Sequence, residues 1–232
     1  MTRHIIFDTE TTGLSHQDGH RLIEIGAVEM VDGGLTGRTF HELIDPERDI
    51  PVEAQRVHQI SDAMVAGKPK FADPAIGPAF LAFIEGATLV AHNASFDIGF
   101  LAAELKRANL AMPRCEVIDT VQMARRKFPG SPASLDALCN RFGIDTSQRE
   151  ADGHGALLDS RLLAEVWIEL TGGRQGGFAL DRAPRGGAAS GPAVSGETPQ
   201  RPGPRPVLLT AAEKAAHAAF VAEMKAPVWA DA

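Results

Sequence analysis

Apolar and polar positions along the chain form blocks whose period changes. Near the start, Ile5-Ile6-Phe7 runs without a charge and then gives way to Asp8-Thr9-Glu10-Thr11-Thr12-Gly13. That is the form of a strand buried on both faces whose last residues reach solvent. Arg21 to Val31 and Arg38 to Ile44 are β-rich segments on either side of an Asp32-Gly33-Gly34 turn, so three antiparallel strands are expected first. Helical and strand patterns then alternate: a helix over Pro74 to Glu85, a short buried strand over Thr88 to His92, and an amphipathic helix over Ser95 to Ala108. A strand at Glu116 to Ile118 and helices over Ser134 to Phe142 and Gly155 to Leu170 complete the pattern. The alternation predicts an α/β domain, a mixed sheet flanked by helices with the charged first strand at its centre.

The pattern stops after Thr171-Gly172-Gly173, and Asp181 to Pro206 is built mainly from Gly, Ala, Pro, Ser and Arg. Such a composition buries too little apolar surface to fold and reads as a tether with a typical span of ~30 Å. Beyond it, Thr210-Ala211-Ala212-Glu213 has capping-box spacing, Ala216, Phe220 and Met224 share a helical face, and Pro227 precedes Val228 and Trp229. A helix this short is marginal alone, so its apolar face is expected to fold onto a partner. The expected organisation is a domain over 1–173, a flexible linker over 174–206 and a partner-binding segment over 207–232.

Charge narrows the chemistry. The chain carries −7, and residues 1–170 alone hold 16 Lys and Arg against 25 Asp and Glu, a net −9. A polyanion would be repelled at long range, so a nucleic-acid enzyme of this kind must rely on metals or a partner for affinity. Cys115 and Cys139 are too few and too isolated for a disulfide framework or a zinc cluster, and no stretch approaches a membrane span. With no basic leader before the first strand, the cytoplasm is the expected compartment and no membrane partner is expected.

Asp8 and Glu10 are two apart on a strand and point the same way. Paired carboxylates are costly to ionise unless a cation neutralises them, and hard oxygen ligands suit Mg²⁺ or Mn²⁺. His92-Asn93-Ala94-Ser95-Phe96-Asp97 follows a buried strand and opens a helix, which puts Asp97 where α/β folds collect ligands. In His154-Gly155-Ala156-Leu157-Leu158-Asp159, positions five apart lie about 140° from each other on a helix. His154 is therefore expected just before the helix, between glycines that let it move over a site to which Asp159 contributes a fixed carboxylate. Asp119, ahead of another helix, is assigned to capping rather than metal binding.

These three segments, Phe7 to Gly13, His92 to Phe100 and His154 to Asp159, resemble the motifs of the DEDDh family of 3′→5′ exonucleases, over about Thr2 to Gly173. The resemblance implies an RNase H-like fold, with Asp8, Glu10, Asp97 and Asp159 holding two divalent ions, Mg²⁺ or Mn²⁺, and His154 as general base. Asp8 would bridge both ions. It also implies that Thr11, Thr12, Val57, His58, Asn93 and Phe96 hold the substrate's 3′ end, Phe96 serving either as a stacking surface or as a core residue. Val57-His58-Gln59-Ile60 departs from the family's usual Val-His-Gly-Ile at Gln59.

The tail resembles that of the proofreading subunits of bacterial DNA polymerase III. That likeness implies DNA 3′ ends as substrate and the polymerase's alpha subunit as partner, contacted through Phe220, Met224 and Trp229. A sliding clamp met through Gln175, Phe178 and Leu180, and a small core subunit, would complete the set. The alternatives are a 3′→5′ exoribonuclease, a stand-alone DNA repair exonuclease, and an inactive binding scaffold. The last would have lost a ligand, whereas all five catalytic positions are present.

Overall fold

In the computed structural model, which describes residues 2–172 and 210–223, the chain opens with strands β1 (Arg3–Thr11), β2 (Leu22–Val31) and β3 (Gly34–Leu43). Helices α1 (Val52–His58), α2 (Asp62–Val65) and α3 (Gly77–Ile84) follow, then β4 (Thr88–Ala91), α4 (Ala94–Arg107) and β5 (Val117–Asp119). The run ends with α5 (Thr120–Lys127), α6 (Leu135–Phe142), α7 (Ser147–Asp152) and α8 (Ala156–Thr171), and farther on α9 (Ala211–Ala222). The chain divides into two units, Met1–Ala179 and Leu180–Ala232. Among the described residues no helix is long and apolar enough to cross a membrane.

The five strands lie in the order β3-β2-β1-β4-β5, so the charged strand is central as expected. β1 runs antiparallel to β2 and parallel to β4, and β4 runs parallel to β5. Strand alternation divides the core. Ile5, Phe7, Ile25, Ala27, Leu89 and Ala91 pack with Phe80 of α3 and Phe100 and Leu101 of α4 on one face. Ile6, Val28, Met30 and Val90 pack with Leu138 of α6 and Leu163, Val166 and Trp167 of α8 on the other. The unbroken apolar run at the start of β1 is therefore explained by two covered faces.

The structure moves two expected boundaries. β3 begins at Gly34, four residues earlier than Arg38, because Asp32 (φ 48°) and Gly33 (φ 85°) make the tight turn alone. Positive φ at both central residues is what a type I′ hairpin requires. The helix expected from Pro74 begins at Gly77, because Asp73 accepts from the N–H groups of Ala75 and Ile76 and closes a turn first. Helices α1 and α2 were not anticipated, being seven and four residues long and too short to show a period.

What sets α8 over the end of β1 is a close approach at Gly26. A Cβ there would lie 2.1 Å from the backbone nitrogen of Leu157, and Ser160 donates its hydroxyl to the Gly26 carbonyl at 2.8 Å. The first turn of α8 thus rests directly on β2. Replacing Gly26 with alanine is expected to cost about 3 kcal/mol or more, as overpacking against backbone that cannot yield. Urea unfolding of Gly26→Ala measures this, and unchanged stability would show that α8 has room to shift.

Candidate active site

The alternation that builds the core also builds the site. Ile6 faces the α8 layer, and Asp8 and Glu10 continue that face; Ile5 and Phe7 face the α4 layer, and Thr9 continues theirs. Thr9 donates its hydroxyl to Asp97 Oδ1 at 2.7 Å, which brings the first turn of α4 over the strand end. Asp97 is buried, as is Asp159 in the first turn of α8. His154 lies just before α8, as expected, and after α7, which was not anticipated; its backbone N–H reaches the Val57 carbonyl at 3.4 Å. Ligand atoms of Glu10, His154 and Asp159 all lie within 4.8 Å of one another. All five expected catalytic residues line one cleft of about 190 Å³, together with Asn93, Phe96 and Arg149.

The cleft is overloaded with acid. Asp8 and Glu10 keep some surface open to it, yet the surrounding protein removes most of their water. Burial pushes the Glu10 carboxyl up to about 8, with Glu24, Asp159 and Asp97 adding to the effect. Burial likewise raises Asp97 to about 7, against the opposing hydrogen bond from Thr9. Asp8 is raised well above the carboxylate range by burial first and then by Asp97, Glu10 and Asp159. Hard carboxylate donors that resist ionising for want of countercharge fit divalent cations.

A larger pocket of about 610 Å³ adjoins the cleft, sharing Thr9, Glu10 and Phe96, and is walled by Thr11, Thr12, Val57 and His58. The two threonines are internally committed: Thr11 donates to the Gly13 carbonyl at 2.7 Å, and Thr12 accepts the Arg21 N–H at 3.0 Å. His58 accepts the Ile60 N–H at Nδ1, 3.0 Å away, so its proton sits on Nε2, which is buried without a hydrogen-bond partner among the described residues. Phe96 packs on Phe100 at 4.9 Å between ring centroids, as a core residue would, and it also lines both cavities. Gln59 takes the left-handed conformation (φ 59°), at the position where the family resemblance led one to expect glycine. Its amide packs against Gly153, so the substitution bears on the segment that carries His154.

Asp119 accepts from the Val121 N–H at 2.9 Å and caps α5, as expected. Two site residues were missed from the sequence. Glu24, directly opposite Glu10 in the β1–β2 register, accepts the Ala156 N–H at 2.9 Å and ties down the start of α8. Its signal was a charge within the apolar run Leu22 to Val28. Arg149 donates to both oxygens of Asp159, and nothing in its sequence context marked it. In the second unit α9 carries the expected capping box between Thr210 and Glu213, and Phe220 is 62% exposed. Gln175, Phe178, Leu180, Met224 and Trp229 lie outside the described residues.

A family model described as Exonuclease (RNase_T) matches residues 5–167, and the chain belongs to that family. A solved structure of exonuclease X in complex with 5′ overhanging duplex DNA is 31% identical, with a TM-score of 0.56 over 74% of this chain and 91% of that one. The nuclease domain of 3′hExo, a DEDDh family member bound to rAMP, shares the fold at 19% identity and a TM-score of 0.61, covering 73% and 91%. The DNA polymerase III subunit epsilon of Rickettsia felis is 53% identical over 182 residues, 77% of this chain and 78% of that one. Within the exonucleases, then, the chain stands among the epsilon subunits. The expected RNase H-like architecture and DEDDh resemblance are both borne out.

The acid cluster has a stability consequence. A carboxyl raised from 4.5 to about 8, as at Glu10, binds more protons folded than unfolded, so its contribution is present below the lower value and lost as pH rises through the upper. Glu10→Gln is therefore expected to raise the melting temperature of the metal-free protein at pH 8 by about 2 °C or more and to leave it nearly unchanged at pH 4.5. Thermal unfolding at the two pH values in chelator checks this; an equal effect at both would mean that Glu10 is not under charge strain.

Proposed function

We infer that this protein is a 3′→5′ proofreading exonuclease of the DNA polymerase III epsilon type, removing misincorporated nucleotides from primer 3′ ends and releasing deoxynucleoside 5′-monophosphates. The observation that carries this is a cleft of four convergent carboxylates beside a pocket of nucleotide size, on a chain about half identical to epsilon subunits.

In this reading Asp8, Glu10, Asp97 and Asp159 hold two divalent ions, Mg²⁺ or Mn²⁺. When bound, such ions supply positive charge to both the attacking and the leaving oxygen of an in-line displacement. His154, on the rim with its side chain 41% exposed, takes the proton from the attacking water as general base. Thr11, Thr12, Val57, His58, Asn93 and Phe96 seat the terminal nucleotide. Phe96 offers a ring face that stacks without reading base identity, and His58 forms part of the wall.

The net −9 of residues 1–170 argues that substrate affinity comes from tethering to a polymerase that delivers the primer end. A mismatched end frays more readily and reaches the cleft as single strand. We assign residues 1–173 to catalysis, 174–206 to a linker with Gln175, Phe178 and Leu180 as a clamp contact, and 207–232 to the alpha subunit through Phe220, Met224 and Trp229. A small core subunit completes the assembly. We assign the protein to the cytoplasm, the compartment where a subunit of a bacterial DNA polymerase would work.

The test is Mg²⁺-dependent digestion of a 3′-labelled mismatched DNA primer beside RNA of the same sequence, with Asp8→Ala as control. Preferential release of the mismatched deoxynucleotide, lost by at least about 100-fold in Asp8→Ala, is expected, since a metal carboxylate acts on the transition state. Preference for RNA would instead assign the protein to RNA trimming.

A further inference from the structure

Arg149 sits on α7, five residues before His154, and its side chain is only 10% exposed. Its guanidinium donates Nε to Asp159 Oδ1 at 2.7 Å and Nη2 to Asp159 Oδ2 at 2.9 Å. The same Nη2 meets His154 Nδ1 at 2.8 Å, and Nη1 pairs with Asp136. The fork is therefore spent on three partners, two of which are the residues that the proposed function gives to metal binding and to general base catalysis.

Hydrogen-bond chemistry decides what that contact does. A guanidinium only donates, so Nδ1 of His154 must accept, and a neutral imidazole that accepts at Nδ1 carries its proton at Nε2. Its one ring lone pair is then directed at Arg149 and cannot receive a proton from water. Asp159 is claimed as well, by a bidentate pair, one of the stronger arrangements a carboxylate can make. The glycines around His154, with Gly153 at φ 78°, leave the segment that joins Arg149 to α8 free to change course without side-chain strain.

We propose that Arg149 is a positioning residue that acts as a tethered counter-ion: it holds Asp159 and His154 in the metal-free protein, and it is exchanged for a divalent cation when the site loads. Freeing Asp159 and exposing Nδ1 of His154 are then one event, so the base becomes competent only in a metal-bearing site. The proposal rests on reading Asp159 as a metal ligand. It also explains how a cleft of this acidity holds Asp159 in place before any ion arrives.

The experiment is calorimetric titration of the full chain with Mn²⁺, comparing wild type with Arg149→Gln, Arg149→Lys and Asp159→Asn. Loss of a charge-assisted competitor should tighten Mn²⁺ binding about tenfold in Arg149→Gln. The same variant should lower the melting temperature in chelator, and the metal concentration for half-maximal activity should fall with the dissociation constant. Arg149→Lys, which keeps the charge but not the fork, should fall between and covers the case in which the glutamine variant folds poorly. A ¹⁵N spectrum of His154 gives an independent readout: the Nε2–H tautomer in the metal-free wild type, and a changed tautomer population on adding Mg²⁺ or in Arg149→Gln. If Asp159→Asn weakens Mn²⁺ binding while Arg149→Gln leaves it unchanged or weaker, the ligand assignment stands and the counter-ion proposal is overturned. If Asp159→Asn binds Mn²⁺ as wild type does, Asp159 is not a ligand and both fall together.

Discussion

Burial of several carboxylates side by side at the end of the central strand is the constraint on which the rest of the structure depends. Asp8, Glu10, Asp97 and Asp159 line one small cleft, and three of them are pushed above the ordinary carboxylate range, chiefly by burial. Nothing in that arrangement favours folding by itself. It persists because the elements that carry it are held by packing remote from it, in the two cores on either face of the sheet. Stability is spent at the site and supplied elsewhere, a usual division where chemistry is done.

The holding devices are specific. On one face Thr9 bonds to Asp97 and joins α4 to the strand end. On the other, the bare backbone of Gly26 admits the first turn of α8, while Glu24 accepts the Ala156 N–H and fixes that turn axially. Asp159 lies one helical turn beyond Ala156 and His154 two residues before it, so one docking event positions both. Glu24 carries a cost, because its charge faces Glu10 across the β1–β2 ladder and adds to the acid load. Arg149 opposes that load, lowering Asp8 and Glu10 from the far side of the cleft.

Much of this was legible in the sequence because it follows from periodicity. The period of two placed Asp8 and Glu10 on one face, and the five-residue spacing placed His154 ahead of the helix that carries Asp159. The central position of β1 followed from its unbroken apolar run. What escaped notice depends on contacts between segments distant in the chain. α1 has too few residues to show a period, yet it supplies Val57 and His58 to the pocket wall. Arg149 reads as an ordinary basic residue until folding sets it against Asp136, His154 and Asp159. Gln59 was recognisable as a departure, but only the structure shows that it keeps the left-handed turn and packs on Gly153.

Carboxyls raised in this way hold protons in the metal-free cleft that divalent ions displace on binding. Proton release on metal binding tests it most directly: calorimetric titration of the full chain with Mn²⁺ at pH 7 in two buffers of different ionisation enthalpy. With Glu10 raised to about 8 and Asp97 to about 7, binding should release at least about one proton per chain, and the observed enthalpies should differ between buffers accordingly. Binding with no proton release would mean that the carboxylates are already ionised in the metal-free protein, and that burial does not hold them protonated.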